Sequence, residues 1–147
     1  MALGCAMRIF LLAILGFLLS GCASLTAADK SEPLSLSPKT LAAGECGLYI
    51  WAADRAKTFT LFASPREITY LKAGQPIALI ENNPPALPAT KREFVDAEGK
   101  RLNLTLLSPQ IIDGGTRYKS GRLTSLSDDG WEKVMPIVGL YACQPIV

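Results

Sequence analysis

The chain has no histidine among its 147 residues. That absence excludes Ser-His-Asp and Cys-His nucleophilic catalysis and His-ligated zinc. It also removes the side chain that titrates closest to neutrality, so acid–base chemistry would fall to carboxylates, Lys, Tyr or Ser. Neither sign of charge is in excess, with 15 Lys plus Arg against 13 Asp plus Glu. A nucleic-acid-binding surface usually carries a marked basic surplus, so no nucleic-acid partner is expected. Aromatic residues make up only 7% of the chain, and the long apolar run is confined to the N-terminus. Beyond that run no window shows apolar residues at a 3.6-residue period, which argues against amphipathic helices.

What is present begins with that run. Arg8 precedes "IFLLAILGFLL", Ile9–Leu19, and Ser20-Gly21-Cys22 follow. One positive charge, an apolar core of 11 residues and small residues at its end describe an export signal over 1–21. As a helix such a core rises roughly 16 Å, about half of a bilayer's hydrocarbon thickness, so no transmembrane span is expected.

Leu19-Ser20-Gly21-Cys22 resembles the bacterial lipobox, Leu-[Ala/Ser]-[Gly/Ala]-Cys, at every position. The resemblance implies cleavage before Cys22, a diacylglyceryl thioether on its sulfur and usually an acylated amine. Burial of each acyl CH₂ contributes about 0.8 kcal/mol, so two or three chains hold the protein firmly to membrane lipid. Ala23 stands where an Asp would, by resemblance to Gram-negative lipoproteins, favour inner-membrane retention. The implied address is the periplasmic side of the outer membrane. A complete signal already starts at Met7, so both Met1 and Met7 are candidate translation starts.

Of four cysteines, Cys5 lies in or before the signal and Cys22 takes lipid. Cys46 and Cys143 are left in an exported chain, which suggests one disulfide. Residues 22–44 are rich in Ala, Ser, Thr and Pro and read as a lipidated, flexible tether, with a short first strand or helix near its end as the alternative.

The domain is expected over 45–147. "CGLYIWAA" is apolar on both faces and reads as a strand covered on both sides. "TFTLFA", "EITYL", "PIALIE" and "REFVD" follow at short intervals. "RLNLTLL" sets Leu102, Leu104 and Leu106 on one face, with Ser108-Pro109 expected to end it. "TRYKSGRLTSL", "WEKVM" and "IVGLYAC" complete the set, with Gly121 and Pro136 as expected bulges. "NNPPALPAT" cannot be a ladder strand because of its prolines. About eight short strands between Gly- and Pro-rich turns predict an all-β antiparallel barrel or sandwich.

Candidate partner-binding residues are Arg117, Tyr118, Lys119 and Arg122, within "GGTRYKSGR". Three cations and an aromatic could hold an anionic partner, such as a glycan, a lipid phosphate or an acidic envelope protein. The alternative is a hairpin with a solvated basic face and Tyr118 packed across strands. The C-terminal third is also similar to the membrane-bound inhibitors of C-type lysozyme, small β-barrel lipoproteins with a disulfide. Gly115, Tyr118 and Cys143 match their Ser-Gly-x-x-Tyr…Cys pattern, and Gly114 stands where that family has Ser.

No Gly-rich phosphate loop and no metal-ligand spacing is found, so neither a cofactor nor a metal is expected. The function expected is a non-enzymatic binding or structural role in the envelope. Inhibition of a lytic enzyme through 114–122 is one alternative. The other is a histidine-free hydrolase built from carboxylates such as Glu93, Asp96, Glu98, Asp128 and Asp129.

Overall fold

A computed structural model describes residues 34–54, 56–86 and 89–146. The expected export signal, the candidate Met7 start read from the sequence, Cys22 and the expected tether up to residue 33 lie outside the described residues. Nine strands follow in order: β1 Cys46–Ala52, β2 Phe59–Ala63, β3 Ile68–Lys72, β4 Gln75–Ala78, β5 Ile80–Glu81, β6 Lys91–Val95, β7 Arg101–Ile112, β8 Gly115–Leu126 and β9 Glu132–Cys143. All pair antiparallel in one sheet of order β4-β3-β2-β1-β9-β8-β7-β6-β5. The fold is all-β, as the short alternating runs predict.

The sheet forms a nearly closed barrel, because its two end strands are successive parts of one segment. β4 pairs with β3, β5 pairs with β6, and only Leu79 separates them. Leu79 donates its N–H to the Ile68 carbonyl at 3.0 Å while its side chain is buried. The sequence reads 76–81 as a single strand. The structure gives that strand a different neighbour on each side of Leu79. Closure leaves few free edges, which in an open sheet would invite pairing with other chains.

Alternation fills the interior. Leu48 and Ile50 of β1, Leu61 of β2, Phe94 of β6, Leu104 of β7 and Ile137 of β9 all lie in the main core. β1 runs between β2 and β9, and its other face carries Tyr49 and Trp51. These join Phe59 and Phe62 in a second apolar cluster, covered by Leu36 and Leu41 from the chain before the barrel. Leu36 donates its N–H to the Phe59 carbonyl at 2.9 Å. Residues 34–44, expected as the end of a free tether, thus lie along the barrel, drawn there by an aromatic face that β1 and β2 build together.

Two expected breaks are bridged. β7 continues past Ser108-Pro109 to Ile112, with Ser108 at a φ of 52°. Beyond Thr105 it no longer pairs with β6, so a proline there removes no hydrogen bond on that side. β9 runs unbroken through Pro136, which lies just past the last pair with β1, Ile137–Ala52. The Pro136 carbonyl points to that same side and accepts from the Ala53 N–H at 2.9 Å. Cys46 and Cys143 are direct cross-strand partners and form a disulfide with Cα atoms 3.9 Å apart.

Candidate functional site

The candidate site lies on the outer face of β1, β9 and β8. The pairing register sets side chains in rows across these strands. Tyr49 lies beside Leu140, and Leu140 beside Arg117. Trp51 lies beside Val138, which faces the irregular step between Tyr118 and Gly121 in β8. Successive residues of a strand point to opposite faces, so Val138 and Leu140 face outward when Ile137 packs in the core.

Trp51, Val138, Leu140 and Ile112 give a groove of about 670 Å³ an apolar lining. Its charged lining is Lys57, Arg117, Lys119 and Asp54. Asp54 already accepts the Lys57 backbone N–H at its Oδ1, at 2.9 Å. Among the described residues Lys57, Arg117 and Lys119 form no ion pair, and neither do Lys91, Arg122 and Lys133, whereas Lys39, Arg66, Lys72, Arg92, Lys100 and Arg101 each do. The groove therefore offers unneutralised positive charge beside hydrocarbon.

The four residues singled out in the sequence separate. Arg117 and Lys119 line the groove. Tyr118 is 2% exposed and packs in the core, which is the cross-strand alternative. Burial pushes its phenol above the usual tyrosine range, so it stays neutral. Arg122 pairs across from Thr105 and faces a different surface, beside Asn103 and Thr124. The double glycine has structural causes. Gly114 turns the β7–β8 hairpin at a φ of 79°. A Cβ on Gly115 would sit 2.0 Å from the Tyr141 carbonyl oxygen.

Sequence reasoning did not select Trp51, Lys57, Ile112, Val138 or Leu140. Alternation in "CGLYIWAA" and "IVGLYAC" does put Trp51 on one face and Val138 with Leu140 on another. That β1 and β8 flank β9 is a property of closure, and no local signal carries it.

The least exposed carboxylates each face a cation. Glu81 meets Arg92, Asp96 meets Lys72, and Glu45 meets Arg66. The Arg66 guanidinium, then the Ala42 N–H, hold Glu45 down at about 2. Lys72 holds Asp96 below the usual carboxylate range. A general acid at neutral pH needs the opposite shift. Asp128, one of the paired acids in the sequence, is lowered by Lys100 and is largely exposed at the β8–β9 turn. No group of three potential metal ligands occurs among the described residues. Comparison with protein-family models, curated proteins and solved structures gave no match.

Proposed function

We propose that this is a cell-envelope lipoprotein, anchored through Cys22 to the periplasmic side of the outer membrane, whose β domain binds a partner and performs no chemistry. The observation that carries the binding role is the groove of β1, β9 and β8, where Arg117 and Lys119 stand unpaired beside Trp51, Val138 and Leu140. The lipobox residues support the address. A buried Tyr118 leaves inhibition of a lytic enzyme to Arg117 and Lys119 alone.

Metabolic labelling with palmitate in a bacterial host tests the anchor. The full chain should take up label and fractionate with outer membranes, and Cys22→Ser should do neither. Label on both proteins, or on neither, would sink the lipoprotein assignment. A photo-crosslinking residue at position 138 tests the binding role. It should capture a discrete envelope component, and Arg117→Glu with Lys119→Glu should abolish that capture.

A further inference from the structure

We propose that the groove of β1, β9 and β8 holds an anionic phospholipid, with its phosphate against Arg117 and Lys119 and an acyl chain along Trp51, Val138 and Leu140. The inference names the partner of the binding site proposed above and rests on that reading.

Charge complementarity comes first. Among the described residues three cations line the groove against one carboxylate, and that carboxylate is engaged by its own turn. Arg117 and Lys119 both line the groove, on either side of the buried Tyr118, and can meet one phosphate from two sides. Lys57 stands on the β1–β2 connection beside Trp51 and adds to the same field.

The lining is the second argument. Beyond these charges the groove offers mostly hydrocarbon and indole, a poor match for a glycan that needs many hydrogen-bond partners. A volume of about 670 Å³ falls within the range typical of small-ligand sites. An acidic peptide would ordinarily gain affinity by adding to a sheet edge. Under the apolar lining the backbone is already paired, Trp51 with Val138, and Leu140 with both Tyr49 and Arg117. Side chains alone must hold the occupant, which suits a charged head with an apolar tail.

Access is the third. Leu36 is held on the barrel by its N–H bond to the Phe59 carbonyl, fourteen residues after Cys22 in the sequence. Fourteen residues span at most about 50 Å when extended. A lipid on Cys22 would therefore keep Leu36 near a bilayer surface, where phospholipid supplies an anionic head on an apolar tail.

The test uses the full chain in neutral detergent with Trp131→Phe, which leaves Trp51 as the only indole. Dihexanoyl phosphatidylglycerol is titrated below its micelle concentration and Trp51 emission is followed. A saturable blue shift is expected, weakened at least tenfold by Arg117→Gln with Lys119→Gln. Dihexanoyl phosphatidylcholine, with the same tails, and glycerol phosphate, without tails, should each bind at least tenfold more weakly. Both substituted residues are exposed, and an unchanged thermal midpoint confirms that the variant folds. An equal response to phosphatidylcholine, no response to phosphatidylglycerol, or a response to an acidic peptide alone overturns the proposal. The titration is repeated on Cys22→Ser. A shift that disappears there would place the added lipid in the anchor's micelle and overturn the proposal too. A failed palmitate label with an intact Trp51 shift would remove the anchor and leave the groove assignment standing.

Discussion

Arg92 is a cation turned into a barrel. It shares a strand face with Phe94, two residues on, and its guanidinium lies 5.3 Å from that ring. Its side chain is 6% exposed, and Glu81 opposite is 8% exposed. The pair is bidentate, Nε to Oε1 and Nη2 to Oε2, each at 2.6 Å. Glu81 belongs to β5, whose ladder to β6 is only two residues long, so the ion pair reinforces the step that closes the sheet. Removing one partner strands the other charge in an apolar site. Glu81→Leu should therefore cost about 3–5 kcal/mol. The double variant Glu81→Leu with Arg92→Met should cost far less, because two desolvated charges are then removed together. Urea unfolding of the cycle checks this, and additive losses would refute it.

Tyr118 shows where strict alternation fails. Leu123 points into the core, so strict alternation would place residues 121, 119 and 117 inward and Tyr118 outward. The register slips between Tyr118 and Gly121, and one extra residue reverses the phase. Gly121 was legible as a bulge, but the direction of every side chain before it was not. The bulge needs its glycine. A Cβ there would lie 2.5 Å from the Thr105 carbonyl oxygen and 2.6 Å from Ile137 Cδ1. Gly121→Ala should destabilise by about 1–3 kcal/mol, the usual cost of overpacking a tight site. Near-UV circular dichroism at 20 °C, with thermal melts, distinguishes that loss from local rearrangement.

At the scale of elements, most strands could be found in the sequence, because each buries one face and shows a period of two. The segment 34–44 could not. It has three leucines and no aromatic, and nothing in it marks a core. Its partner is a surface assembled from two other strands. Tyr49, Trp51, Phe59 and Phe62 pack together with ring centroids 5.0–6.1 Å apart, two pairs stacked and two tilted, on the outside of β1 and β2. Leu36 seals that cluster at 6% exposure. Ser35 Oγ accepts the Phe59 N–H at 3.1 Å, and Lys39 pairs with Glu67 at 2.9 Å. Tyr49 donates its hydroxyl to the Lys39 carbonyl. Leu36→Ala should cost about 2–5 kcal/mol, the range for a buried leucine. It should also red-shift Trp51 emission, as water reaches the indole. An unchanged spectrum and melt would mean that the segment is not held on the barrel.

At the scale of the whole molecule, the sequence led to a barrel or sandwich whose ends meet, and the disulfide fits that reading. It links positions 97 residues apart, a loop worth roughly 4–5 kcal/mol in the chain-entropy model. A second tie lies at the same end of β1. Glu45 accepts from Arg66 Nε at 2.9 Å and from the Ala42 N–H at 2.8 Å, joining the entering chain to the β2–β3 turn. The β1–β2 register, Leu48 beside Ala63, carries the β2–β3 turn to the start of β1, and spacing alone does not show that register. The two ties differ in their response to acid. The disulfide does not titrate, whereas Glu45 is lowered from 4.5 to about 2, first by Arg66 and then by the Ala42 N–H. A carboxylate depressed by folding contributes its full stability above its unfolded pKa and loses it as pH falls through the folded one. The contribution of Glu45 should therefore be constant from pH 7 to 5 and fade between 4.5 and about 2. Asp96, lowered by Lys72, and Asp128, lowered by Lys100, fade in the same direction. Comparison with Glu45→Gln isolates the one group. The variant should have a lower urea midpoint than the parent at pH 7 and a shallower decline below pH 4.5, so that the two curves converge in acid. Curves that stay parallel down to pH 2 would show that Glu45 does not hold this end of the barrel.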